Sequence, residues 1–178
     1  MRRAPPFFAV AALCAVIALA GPGTSEALRY DRDRIWAGQL WRLLTGNLVH
    51  LGWGHLAMNV AALLLIAPLA PAWVLLPCGL GVSAGLLFLS PETAWYVGLS
   101  GALHGLFASG ALAYGLRGSW GGWGGLGLLA AKLAYEAHAG PLPGSADLAR
   151  GPILLPSHFY GALSGLPWAL LLRRKPLA

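Results

Sequence analysis

Apolar residues fall along this chain in long blocks separated by short polar or proline-containing breaks. The blocks cover residues 7–20, 55–69, 72–89, 100–116, 120–137 and 157–172, and runs of this kind predict membrane-spanning helices. Pro68 and Pro71 end the second block, Ser90, Pro91 and Glu92 make a turn after the third, and Arg117 and Gly118 form a tight connection after the fourth. A loop over 138–156, with Pro141, Pro143, Gly144 and Gly151, precedes the last block. The longest polar stretch, 21–51, mixes Glu26, Arg29, Asp31, Arg32, Asp33, Arg34 and Arg42 with Trp36 and Trp41. Charge interleaved with tryptophan suits a loop lying at a membrane interface. No fixed-period repeat is evident.

Composition sharpens that picture. Hydrophobic residues make up 57% of the 178 positions and charged ones 10%, against about 25% charged in a soluble domain. A span needs roughly 20 residues plus a connection, so the expectation is one domain over 1–178, an all-α polytopic membrane protein with six transmembrane helices. The basic pI of about 9.9 does not point to nucleic acid, because the basic residues form no stripe interleaved with aromatics. Arg2 and Arg3 precede the first block, and Arg173, Arg174 and Lys175 follow the last, which predicts that both termini are cytoplasmic. The first block also satisfies the outline of a cleavable signal peptide. Retention is preferred, since an even number of crossings keeps both basic ends on one side. Cys14 and Cys78 lie inside apolar blocks and read as small buried hydrophobes.

Ionisable and polar side chains within spans are expensive and mark function by default. Here they are His55 and Asn59, Ser100 and His104, Lys132 and Glu136, and His158, all near the ends assigned as outer. There is no His-Glu-x-x-His cluster for zinc, and Asp31, Asp33 and Asp147 lie in loops, which excludes an aspartyl dyad. No metal or cofactor is expected. A serine nucleophile needs a base and oxyanion donors, and those parts are present. Ser100, in Gly98-Leu99-Ser100-Gly101, opens the fourth block, where free backbone N–H groups favour a developing oxyanion.

His158 is followed at three and seven residues by Gly161 and Gly165, a small-xxx-small strip that matches Gly101, Gly105 and Ser109 on the fourth block. Close approach along these strips brings Ser100 and His158 together. No Asp or Glu is placed by the sequence to orient the imidazole, so a dyad is expected, with His104, one turn below Ser100, able to stack on His158. His55 and Asn59 share a helical face and both can donate hydrogen bonds, as an oxyanion hole or as interhelical glue. Lys132 and Glu136, at i and i+4, read either as a local ion pair or as a polar clamp for a substrate backbone.

Taken together, these residues resemble the rhomboid family of intramembrane serine proteases. The likeness begins at Trp41-Arg42, runs through His50, His55 and Asn59 in WRLLTGNLVHLGWGHLAMN and the GLSG at 98–101, and ends at His158-x-x-Gly161-x-x-x-Gly165. The resemblance implies a rhomboid-like bundle of six transmembrane helices around a cavity opening outward, a Ser100–His158 dyad, and His55 and Asn59 as oxyanion donors. It also implies a structural role for the loop histidine His50 and a scaffolding role for Trp41 and Arg42. His104 departs from the tyrosine many members carry there. With the compact length and Lys132-Leu-Ala-Tyr-Glu136, GLSGALHG is similar to the rhombosortase branch, which implies transmembrane substrates bearing a C-terminal Gly-Gly motif, a transmembrane helix and a basic tail, handled in a bacterial inner membrane. Two other readings stay open: an inactive rhomboid-like binding or quality-control protein, and a small transporter, which would spread polar groups through the bilayer depth.

Overall fold

A computed structural model describes residues 4–173 of the chain. The basic residues Arg2, Arg3, Arg174 and Lys175, on which the expected orientation of the ends relies, lie outside the described residues. What is described is mostly helical. The longer helices are α1 (Ala4–Leu19), α2 (Trp53–Ile66), α3 (Leu75–Leu89, led in by a 3-10 turn at Ala72–Val74), α4 (Ser100–Leu116), α5 (Trp120–Ala139) and α6 (Leu155–Gly165). The last is extended by a 3-10 turn at Leu166–Trp168 and a final turn at Ala169–Leu172.

Each expected block therefore holds a helix, but helical length and apolarity do not coincide throughout. Among the described residues, one helical stretch, Ala72–Leu89, is long and apolar enough on its own to cross a membrane. A second candidate is the pair Arg42–Leu48 and Trp53–Ile66, bent by 94° at its break. Helices α1, α2, α4 and α6 are each short of 18 residues, and the longer α5 carries Lys132, Glu136 and His138 beside its glycines, which lower its mean hydropathy while the glycines allow close packing.

The glycines set the interior. A Cβ on Gly161 would collide with the Gly101 carbonyl oxygen, and one on Gly165 with that of Gly105. Helices α4 and α6 therefore touch backbone to backbone along the strips expected from the sequence. Helix α3 closes the third side: a Cβ on Gly105 would lie 2.5 Å from Cys78 Sγ, and one on Gly101 2.8 Å from Val82. Cys14 and Cys78 are both free and buried. Helix α5 approaches α4 at its beginning through Gly122, against the Gly115 backbone, and further along packs Leu129 with Ala108 and Ala162.

The polar stretch 21–51 is built rather than loose. Short helices at Pro22–Leu28, Arg32–Trp36 and Arg42–Thr45 surround a two-residue antiparallel pairing of β1 (Tyr30–Asp31) with β2 (Trp95–Tyr96). Arg42 is 2% exposed because its guanidinium is satisfied by carbonyls: Nη1 donates to Glu26 O at 3.0 Å and Arg29 O at 2.8 Å, and Nε to Gln39 Oε1 at 2.7 Å. A buried charge is tolerated when hydrogen bonds of this kind replace its hydration.

Candidate active site

Ser100 is the first residue of α4, and His158 sits in the first turn of α6. Backbone contact at Gly101 and Gly161 holds those two ends side by side, and Ser100 Oγ lies 3.1 Å from His158 Nε2. The segment before Ser100 is pinned from three directions. Gly98 takes φ +123, and a Cβ there would sit 2.7 Å from His55 Cε1, so glycine is required both for the backbone angle and for the approach. Tyr96 is buried, its hydroxyl donates to Gly98 O at 2.5 Å, and burial pushes that phenol up to about 12. The third anchor is Arg32. Its Nη1 donates to Leu87 O at 2.8 Å, its Nη2 to Leu86 O and Ser90 O at 2.7 Å each, and its Nε to Thr93 O at 3.2 Å. One cation thus caps the C-terminus of α3, where it also complements the helix dipole, and ties down the start of the connection to Ser100.

His55 lies across the cavity. The Leu51 N–H donates to its Nδ1 at 3.3 Å, which leaves the proton of the neutral ring on Nε2, the edge that faces Gly98. His50 packs edge-on against it, with ring centroids 5.0 Å apart, and its own Nδ1 donates to Leu48 O at 3.1 Å. Burial, reinforced by His55, pushes His50 down to about 4, so it is neutral at ordinary pH. Asn59 Nδ2 donates to His55 O at 3.0 Å, which uses one of its two amide hydrogens and leaves the other. A cavity of about 350 Å³ lies above Ser100, walled by Leu51, His55, Trp95, Tyr96, Pro152 and Ile153. The short helix Ser145–Ala149 closes over α2, where a Cβ on Gly54 would strike the Leu148 carbonyl.

His104 stacks on His158, centroids 4.2 Å apart and planes at 15°, with its Nδ1 2.7 Å from Ser100 O. The aromatic contact expected at this position is made by an imidazole.

Lys132 and Glu136 form the local ion pair, one of the two readings their spacing left open, and the pair is turned towards His158. Glu136 is 4% exposed, and its Oε2 is engaged by Lys132 Nζ at 2.6 Å and His158 Nδ1 at 2.9 Å. Both side chains face the site, with Lys132 Nζ 3.3 Å from His158 Nδ1. The expectation that no carboxylate stands behind the imidazole is corrected by the same contact. The sequence shows the pair on α5 but not which way that helix turns. Ligand atoms of His104, Glu136 and His158 also come within 4.8 Å of one another. Stacked, near-parallel rings do not aim two lone pairs at one ion, and their nitrogens lie against Ser100 and Glu136, so the donor set fits a hydrogen-bond relay better than a metal.

A hydroxyl at a helix start, an imidazole touching it, and an N–H donor across a cavity are the parts of a serine hydrolase site set among glycine-packed helices. Residues 37–175, more than half of the chain, match the Rhomboid domain, and the chain belongs to that family of membrane proteins, which includes intramembrane serine proteases. Comparison with curated proteins gave no match.

Proposed function

We propose that this protein is an active intramembrane serine endopeptidase with Ser100 as nucleophile and His158 as general base. The observation that carries the reading is the 3.1 Å contact between Ser100 Oγ and His158 Nε2 at the start of a helix in a rhomboid-domain chain. In the forward step Oγ attacks the scissile carbonyl carbon while its proton passes to Nε2. The oxyanion is met by the Ser100 backbone N–H, the Nε2–H of His55 and the remaining amide hydrogen of Asn59, donors whose individual loss costs about 2.7–4 kcal/mol in comparable sites. The proton then moves from Nε2 to the leaving amine, and water releases the acyl group by the reverse sequence.

Six crossings with both termini cytoplasmic put the starts of α2, α4 and α6, and hence the cavity, on the outer side of a bacterial inner membrane. Glycine packing supports this, because it lets helices of low mean hydropathy cross by burying one another. No cofactor enters the chemistry. The substrate class that fits is the rhombosortase type, a transmembrane helix preceded by Gly-Gly and followed by a basic tail. A helix hides its peptide bonds in its own ladder, and glycine lowers the cost of unwinding it by about 1 kcal/mol per residue relative to alanine. The test is a membrane reporter with that tail, compared with one carrying Leu-Leu in place of Gly-Gly. Cleavage of the first and sparing of the second supports the branch. Equal cleavage leaves a protease of another specificity, and cleavage of neither by a protein that cuts other transmembrane helices refutes the Gly-Gly preference.

A further inference from the structure

The proposed function leaves unexplained a carboxylate, 4% exposed, on a helix that contributes nothing else to the nucleophile. Three groups converge there: Glu136 Oε2, Lys132 Nζ and His158 Nδ1, at 2.6 Å, 2.9 Å and 3.3 Å from one another. Their chemistry is competitive. His158 Nδ1 has a single site in the ring plane, so it either donates an N–H to Glu136 or accepts one from Lys132. Only the first leaves the lone pair on Nε2, where Ser100 Oγ lies at 3.1 Å. The second places the proton on Nε2 and removes the base. The carboxylate has the nearer approach, and Lys132 is already matched to the same oxygen as an i,i+4 partner. That pairing offsets the burial of the carboxylate and draws the ammonium away from the ring.

We infer that Glu136 is a positioning residue of the site, a carboxylate that holds His158 in the Nδ1–H tautomer and faces the imidazolium formed when Ser100 gives up its proton, with Lys132 as its counter-charge. The inference rests on the serine-protease reading and extends the expected dyad to a triad whose third member comes from α5. His104, stacked on the other side, fixes the ring plane, while Glu136 fixes its rotation and its proton. The roles are separable because one contact is made by the ring face and the other by Nδ1.

The experiment uses the purified full chain in detergent micelles and a fluorophosphonate probe. The reaction forms an Oγ–P bond and breaks the P–F bond, the Oγ proton passing to Nε2 and fluoride leaving. Labelling of wild type at Ser100, absent in Ser100→Ala, is expected. Glu136→Gln is expected to lower the maximal labelling rate by about 100-fold or more, by analogy with carboxylate-to-amide exchange in serine triads, while the concentration for half-maximal rate and the melting temperature stay near wild type. Glu136→Asp is expected to recover part of the rate, and Lys132→Met, which leaves the carboxylate without its counter-charge, to lower the rate but by less than Glu136→Gln does. Histidine ¹⁵N spectra give a readout that a purely structural role would not move: His158 protonated at Nδ1 in wild type and a tautomer mixture in Glu136→Gln.

Wild-type labelling with an unchanged rate in Glu136→Gln overturns the inference and leaves the protease reading standing. A loss in Lys132→Met as deep as in Glu136→Gln also overturns it, since the ion pair and not the carboxylate would then be what matters. If Glu136→Gln does not fold, the wild-type spectrum decides, and a His158 proton on Nε2 is the contrary result. No labelling of folded wild type removes the serine-protease reading and this one with it.

Discussion

Replacing Gly161 by alanine tests how the site is assembled without touching either reacting side chain. The added Cβ lands on the Gly101 carbonyl oxygen far inside van der Waals contact. Both partners are backbone, so no side chain can swing aside, and α4 and α6 must part by about 1.5 Å to restore an ordinary contact. Gly101 is the neighbour of Ser100, and Gly161 is one turn from His158, so the Ser100 Oγ–His158 Nε2 distance of 3.1 Å opens by a similar amount, past the roughly 3.5 Å reach of a hydrogen bond. A misplacement of about 1 Å at reacting groups costs about 100-fold in rate, equivalent to about 2.7 kcal/mol of barrier. Overpacking costs a further 1–3 kcal/mol or so of stability, which lowers the melting temperature but leaves a folded population. The assay is reporter cleavage in liposomes at 25 °C, normalised to the folded fraction, with Gly127→Ala as control. Gly127 lies on α5 with nothing within 4 Å of its Cβ position, so alanine there should leave the rate unchanged. A folded Gly161→Ala protein that cleaves within twofold of wild type would refute the claim that this glycine contact sets the Ser–His distance.

Further outcomes follow from the surrounding contacts. Arg32→Met removes all four carbonyl contacts of that guanidinium and should cost about 3 kcal/mol or more, with hydrogen exchange rising over 86–97 before anywhere else; uniform exchange would argue against the anchor. His55→Phe keeps a ring against His50 but loses the Nε2–H, so cleavage should fall about 100- to 1000-fold at near-normal stability, whereas an unchanged rate would remove His55 from the oxyanion hole. His50 is held at about 4 against an ordinary 6.5, so the unfolded chain takes up the proton first as pH falls. The stabilising effect is complete above about pH 6.5 and drains away towards pH 4, amounting to about 2 kcal/mol between pH 7.5 and pH 5. Melting temperatures across that range should fall less steeply in His50→Gln, and parallel slopes would contradict the assignment.

Much of this arrangement is legible from the sequence. Apolar blocks locate the helices, and the start of α4 at Ser100 follows from the Gly-Leu-Ser-Gly break. The facing glycine strips give the α4–α6 contact because small residues at a spacing of four admit only a close crossing. What escapes is rotation and long-range docking. Helix α5 is rich in glycine on several sides, so its pattern does not say whether Lys132 and Glu136 face lipid, a substrate or His158. Arg32 looks like one charge among several in a polar loop, and its partners lie more than fifty residues away on the C-terminus of α3. The burial of Arg42 is equally silent, because carbonyls of Glu26 and Arg29 rather than acidic side chains receive it. In each case backbone groups or helix orientation decide the contact, and neither leaves a trace in residue type.

The most direct test of the central claim is cleavage of a transmembrane reporter in liposomes, with the cut site read by mass spectrometry, by wild type, Ser100→Ala and His158→Ala. The account predicts a defined cut near the outer end of the reporter helix by wild type and none by either variant at equal folded amounts. Cleavage by Ser100→Ala at the wild-type rate would contradict it.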